Sequence, residues 1–266
     1  MGFAPQWLAL REPADAAARD AGLMDAAAPW AGTGAIVDLG AGTGATVRAF
    51  RPLLGDGQRW RLVDHDPQLL ARAVARHLGA EAHLRDLARL RDLPLAGAGL
   101  VTASALLDLV SDDWLAGLVA QLAPARLPFY AALSYDGMMR WWPELPDDAA
   151  ITAAFNADQR RDKGFGPALG PDAADSARHR FEGAGYMVRL APSPWRLTPA
   201  QAALQAQLLH GIAEAAAREG QPDAMAWRDR RLALLAEARC EIGHLDLLAV
   251  PPGSTPQRNL EGGGNG

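Results

Sequence analysis

The sequence predicts an α/β fold: a mostly parallel sheet of seven strands, helices on both faces, and a helical insertion near the C-terminus. Three observations predict it. Short, β-branched apolar runs alternate with helical segments of about 10–15 residues through the first half. The first run ends in a glycine loop, Gly40-Ala41-Gly42-Thr43-Gly44, that opens a helix. The last two apolar runs are separated by two Ala- and Leu-rich helical segments rather than by a tight turn.

In chain order, Pro13–Ala28 is Ala-rich with proline in its first turn and reads as a helix. Ala35–Leu39 reads as a buried strand between glycines, and Gly44–Leu54 as the helix after it. Arg59–Val63 is the second strand, closed by Asp64, and Asp66 is placed to cap a helix over Pro67–Leu78. Glu81–Arg85 and Leu100–Ser104 are the third and fourth strands. Ser111 or Asp112 caps a helix ending near Pro124, and Leu127–Ser134 is the fifth strand. Residues 135–170 form a long connection rich in Trp, Pro, Gly and charge, which reads as a lid over a substrate site. Pro171–Ala184 starts with proline and stops at Gly185, as helices do. Tyr186–Leu190 is a strand, two helices over about 199–219 and 222–240 form the insertion, and Leu245–Val250 closes the sheet. No composition break divides residues 1–250, which are expected to form one domain. Residues 251–266, ending GGGNG, read as a flexible tail.

Composition narrows the function classes. The chain has 266 residues, 49% of them hydrophobic, enough to bury a core without disulfides or metals. A single cysteine, Cys240, excludes an internal disulfide and a zinc site built on several thiolates. No histidine pair has metal-site spacing, so no metal is expected. A net charge of −5 argues against a nucleic-acid partner. No apolar run approaches the roughly 18 residues of a membrane span. Met1–Leu10 lacks the basic-then-apolar order of a secretory signal, so the expectation is a cytoplasmic protein with no membrane partner. Lys163 is the only lysine among 26 basic residues, a bias that arginine-rich coding explains.

The glycine loop carries the chemistry. Residues 36–44 read I-V-D-L-G-A-G-T-G. Glycines let a ligand approach the backbone, and the helix start beyond them offers unpaired N–H groups. Asp64 ends the next strand, where a carboxylate can accept from a ribose diol. Asp86 ends the third strand, where an acid could accept from an exocyclic amine of adenine. The loop also satisfies the G-x-G-x-x-A pattern of nicotinamide and flavin binders. Asp38 distinguishes the two, because a carboxylate two residues before the first glycine would repel a pyrophosphate yet suits a sulfonium ligand with an amino-acid tail.

On these residues the chain resembles class I S-adenosylmethionine-dependent methyltransferases. VDLGAGTG is similar to the family's first motif, Leu62–Pro67 (LVDHDP) to its second, Arg85-Asp86-Leu87 to its third, and Leu100–Val110 to its fourth-strand segment. The resemblance covers about residues 35–134. It implies a Rossmann-like fold and S-adenosyl-L-methionine as cofactor, with Asp38, Gly40 and Gly42 around the methionine portion and Gly44 also in the cofactor-binding loop. It implies Asp64 at the ribose, His65 beside the adenine, Asp86 and Leu87 at the adenine edge, and Ala103 and Ser104 near the ammonium and sulfonium. The family's sheet closes with an antiparallel hairpin, which strands 186–190 and 245–250 would supply.

The substrate side rests on fewer signals. Ser104-Ala105-Leu106-Leu107 stands where amide and nucleobase-amine methylases carry Asn/Asp-Pro-Pro-Tyr, which favours a small metabolite methylated on O or N. Tyr135, Arg140, Trp141 and Trp142 follow the fifth strand, where an aromatic pair could wall an acceptor. Asn156, Arg160, Arg161 and Lys163 could clamp an anionic group on it. Near the N-terminus, Asp15 and Arg19 have the spacing of an exposed helical pair, with Arg19 reaching the cofactor carboxylate as the functional alternative. His179, His210 and His244 are candidate bases, His244 being the most distant from the expected site. The rival readings are an NAD-dependent oxidoreductase and a catalytically silent S-adenosylmethionine-binding subunit. The two late helices would supply the interface for a partner or for a homodimer.

Overall fold

The computed structural model describes residues 4–253 and 255. Met1–Phe3 and most of the expected tail over 251–266 lie outside the described residues. The parallel strands are β1 (Ala35–Leu39), β2 (Trp60–Asp64), β3 (Glu81–Leu84), β4 (Ala98–Ser104) and the start of β5 (Phe129–Trp142). β6 (Met187–Pro192), β7 (Trp195–Leu197) and β8 (Arg239–Val250) follow. The order is β3-β2-β1-β4-β5-β8-β6, with β7 on β8, and β8 runs antiparallel to β5, β6 and β7. The sheet thus has eight strands, one more than expected. The extra strand exists because β8 begins six residues before the expected Leu245 and offers Cys240–Ile242 as a free edge to β7.

β1 is buried along its whole length, as expected of a strand covered on both faces. Ile36 points into a core with Phe50, Leu70 and Leu100, while Val37 and Leu39 point into one with Leu115, Leu118 and Phe181. The first core lies under α2 (Ala21–Ala27), α3 (Ala45–Leu54) and α4 (Pro67–Arg76), and the second under α5 (Asp112–Ala125) and α7 (Ala173–Gly183). Ser111 caps α5 and Asp66 caps α4, each accepting from backbone N–H groups of the first turn.

Three departures from the expected elements shape the site. The N-terminal helix is two: α1 (Pro5–Ala18), with Pro13 inside it, and α2. They part at Arg19, whose extended backbone lets Asp20 cap α2 through Leu23 N and donate its own N–H to Asp246. Second, residues 135–142 are not a lid loop but the continuation of β5, paired with β8 through two register shifts. Third, the expected helical pair over 199–240 is present as α8 (Ala202–Arg218) and α9 (Ala224–Ala233), but α6 (Asp148–Gln159), from the connection after β5, packs on α8 and joins it in a three-helix cluster. Their core includes Trp141, Ile151, Leu209 and Trp227. Among the described residues no helix is long and apolar enough to cross a membrane.

Candidate cofactor and acceptor site

A cavity of about 410 Å³ opens at the carboxyl ends of β1, β2 and β4. The strand order reverses beside β1, so the loops after β1 and β4 diverge there and leave a crevice. Gly40 (φ +68°) and Gly42 (φ +54°) line it in the left-handed region, where other residues are strained. Both oxygens of the buried Asp64 carboxylate hold backbone: Oδ2 accepts from Gly42 N at 2.8 Å and Oδ1 from Asp66 N at 3.0 Å. Asp64 therefore ties the glycine loop to β2, and two oxygens of about four acceptor sites still leave room for a further donor. His65 Nδ1 lies 3.3 Å from Asp64 Oδ1 on the same wall. Gly44 does not line the cavity. It caps α3 at φ +81°, and a Cβ there would meet His77 at 2.9 Å.

Behind the glycine loop is a buried polar floor. Arg19 Nη2 donates to Ser104 Oγ at 2.9 Å, and Thr46 Oγ1 lies 3.1 Å from the same oxygen. Thr102 Oγ1 donates to Asp38 Oδ1 at 2.7 Å. Two atoms are left over: Arg19 Nη1 and Asp38 Oδ2 are buried without a partner. Burial pushes the Asp38 carboxyl up to about 6, against the lowering pull of Thr102 and the Arg19 guanidinium. Arg19 and Ser104 line the cavity, whereas Asp38 stands one layer behind it, 1% exposed. Ala103 is likewise buried behind the wall.

On the far side, Asp86 is exposed on the rim, its Oδ1 accepting from Ala88 N at 3.0 Å. Leu87 is buried, its carbonyl held by Trp114 Nε1 at 2.7 Å. The inner end is apolar, walled by Leu8, Leu106, Leu109, Leu133 and Phe165. Two wall residues have strained backbone: Ala105 at φ +49° and Leu133 at φ +59°. Leu133 is held there by the fully buried Asp246, which accepts from Leu133 N at 2.8 Å as well as from Asp20 N and Tyr130 OH.

The expected substrate residues mostly do not reach this cavity. Tyr135 is buried and donates to Asn156 Oδ1 at 2.7 Å, while Asn156 Nδ2 donates to Gly137 O. Both therefore fasten α6 to β5. Trp141 is buried against Trp227 and under the Arg231 guanidinium, inside the helical insertion, because the long β5 carries it past the sheet. Arg140 and Trp142 are exposed on the same extension. Arg160 pairs with Asp172 and Arg161 with Glu219, both at the surface. Only Lys163 lines the cavity, and its Nζ is bound to the buried Asp158 Oδ2 at 3.1 Å. The expected anion clamp of Asn156, Arg160, Arg161 and Lys163 does not assemble. His179 and His210 do not line the cavity either.

One wall was missed by sequence reasoning, and one buried acid beside the cavity. Helix α1 places Leu8, Arg11 and Asp15 on the cavity, the last two joined in a two-bond ion pair at 2.9 and 3.1 Å rather than lying in solvent. Trp195 Nε1 donates to Asp15 Oδ1 at 2.9 Å, and the Arg11 guanidinium lies 5.0 Å from the Trp195 ring. Asp108, between Leu107 and Leu109, has a buried and unpartnered Oδ1, and burial pushes its carboxyl up to about 6. The one available signal was the isolation of that acid in an otherwise apolar run, Leu106–Val110.

No family model and no curated protein matches the chain by sequence. Solved structures do match in shape. A protein from Bacillus halodurans assigned as a methyltransferase superposes with a TM-score of 0.51 at 12% identity, covering 87% of this chain and 99% of its own. The cyclopropane synthase MmaA2 of Mycobacterium tuberculosis superposes with a TM-score of 0.50 at 12% identity, covering 93% of this chain and 94% of its own. The expected Rossmann-like fold is therefore the fold of this chain.

Proposed function

We propose that the chain is an S-adenosylmethionine-dependent methyltransferase acting on an oxygen or nitrogen of a small molecule. The observation that carries this reading is the pair of leftover atoms under the glycine loop. Arg19 Nη1 is a buried cation's free donor and Asp38 Oδ2 a buried acid's free acceptor, close enough to feel each other's charge. An amino-acid tail has the matching pair, a carboxylate for Arg19 and an ammonium for Asp38. A pyrophosphate would instead meet a carboxylate, which argues against the nicotinamide alternative.

In this reading Asp64 receives the ribose diol through its remaining lone pairs, with His65 beside the adenine. Asp86 and the Leu87 backbone stand where the adenine edge would be read. The cofactor, when bound, supplies a methyl group activated by its sulfonium. The chain aligns the acceptor and keeps water out with Leu8, Leu106, Leu109 and Phe165. The basic residues that suggested an anionic acceptor are engaged in ion pairs, so the reading keeps the nucleophile and drops the anion.

Calorimetric titration tests it. S-adenosylhomocysteine should bind and NAD should give no heat. Asp64→Ala should weaken S-adenosylhomocysteine binding by about 1–3 kcal/mol, since it removes a buried acceptor and releases the glycine loop. Binding of NAD alone, or an Asp64→Ala variant with undiminished affinity, would defeat the placement.

A further inference from the structure

One charged group on the cavity wall is held firmly without being fully used. Leu8, Arg11 and Asp15 share one face of α1, and all three line the cavity. Arg11 Nε and Nη2 donate to the two oxygens of Asp15 at 2.9 and 3.1 Å. Trp195 Nε1 donates to Asp15 Oδ1 at 2.9 Å, so the carboxylate is also anchored from β7. The guanidinium carbon lies 5.0 Å from the Trp195 ring and 6.0 Å from the Trp7 ring, and the two rings meet edge to face. Trp195 is buried and backed by the His244 ring at 5.2 Å.

A guanidinium carries five N–H groups in one plane. The edge made by Nε and Nη2 faces Asp15. The outer edge, Nη1 with the second Nη2 hydrogen, has no further hydrogen-bond partner among the described residues. Nη1 is not one of the buried unpartnered atoms, in contrast to Arg19 Nη1. The other cation toward the inner end, Lys163, is more fully engaged: its Nζ donates to Asp158 O at 3.0 Å and to Asp158 Oδ2 at 3.1 Å.

Charge decides what can use the outer edge. Asp15 already matches the Arg11 charge, and the inner walls of the same cavity, Leu8, Leu109 and Phe165 among them, are apolar. A carboxylate would bring a second anion towards Asp15 and lose its hydration in an apolar site. A carbonyl oxygen offers two lone pairs to two parallel N–H donors and brings no charge.

We propose that Arg11 is the specificity-determining residue for the acceptor molecule, its outer N–H edge receiving an uncharged carbonyl oxygen on an apolar body. This rests on the methyltransfer reading only for calling that molecule the acceptor. The recognition itself can be measured without turnover.

Acetophenone, its isostere α-methylstyrene, in which a methylene group replaces the carbonyl oxygen, and benzoate make a matched set of probes. Their binding is measured by ligand-observed NMR, with and without S-adenosylhomocysteine. Acetophenone is expected to bind at least about fivefold more tightly than either of the others, the size of one buried hydrogen bond. Arg11→Lys keeps a cation for Asp15 but has no planar fork, and should bind the ketone and the alkene alike. Asp15→Asn, which removes the charge that matches Arg11, should raise benzoate affinity. The wild-type preference stands as a test even where a variant fails to fold. Equal binding of acetophenone and α-methylstyrene, tighter binding of benzoate to the wild type, no binding of acetophenone, a preference that survives in folded Arg11→Lys, or unchanged benzoate binding in folded Asp15→Asn would each overturn the inference. A wild type that prefers the ketone but binds no S-adenosylhomocysteine would instead remove the methyltransfer reading and leave this one standing.

Discussion

Replacing Asp38 by Asn should stabilise the protein at neutral pH, by an amount that depends on pH in a fixed direction. Burial moves the Asp38 carboxyl from 3.8 to about 6, which at about 1.36 kcal/mol per pH unit favours the protonated form in the fold by about 3 kcal/mol. The sign follows from proton uptake. Between those values the folded protein holds a proton that the unfolded chain has lost, so stability falls as pH rises from about 4 to about 6. Asparagine cannot ionise and escapes that loss, while its carbonyl still accepts from Thr102. Its amide hydrogens, placed where Oδ2 has no partner, cost about 1 kcal/mol at every pH. Asp38→Asn is therefore expected to be about 0.5 kcal/mol less stable than wild type near pH 4, where the unfolded acid is already partly ionised, and about 2 kcal/mol more stable near pH 7.5. Asp108 titrates in the same window with the same sign, but it is present in both proteins and cancels in the difference. Urea unfolding followed by the fluorescence of the eight tryptophans, repeated from pH 4 to pH 8, measures it. A stability difference that is flat across this range would refute the reasoning, since it would mean that Asp38 does not titrate there. The same substitution should weaken S-adenosylhomocysteine binding, because the strain of a buried charge is what the ligand's ammonium would relieve.

Two further outcomes follow from packing. Gly99→Ala should lose about 2–3 kcal/mol, because its Cβ would stand 2.1 Å from the Ala31 carbonyl oxygen and only backbone could give way; a urea midpoint within error of wild type would show that the turn at residues 28–31 does not press on β4. Arg231→Ala should cost about 3 kcal/mol by the same assay, since Arg231 is 1% exposed, bonded to Asp148 and to Pro143 O, and its loss leaves a carboxylate answered only by Trp227 and the Leu145 N–H. A loss below about 1 kcal/mol would mean that water replaces the guanidinium freely.

What could be read from the sequence divides along a physical line. β1, its glycine loop and the acids closing β2 and β3 were legible because each is local: a run of five residues, a turn of five, a carboxylate at a strand end. Asp38 was singled out for its charge, and its place beneath the loop depends only on the strand that carries it. The acceptor end was not legible, because its walls are joined over long distances. Trp195 fixes Asp15 across 180 positions, and Asp246 holds the bend at Leu133 across 113. The spacing of Arg11 and Asp15 describes an exposed helical pair equally well, and only the helix's docking against β7 turns it into a cavity wall. Trp141 and Trp142 misled for the same reason. A strand that ends at Ser134 would leave them over the site, whereas one that runs on to Trp142, paired with β8 through two bulges, delivers Trp141 to the core of the insertion. Register across 100 residues decides between those outcomes, and nothing in the local sequence around Tyr135 encodes it. The lid basics show the converse. Their charge was visible, but a cation's function depends on whether a carboxylate reaches it first, and Asp158, Asp172 and Glu219 do.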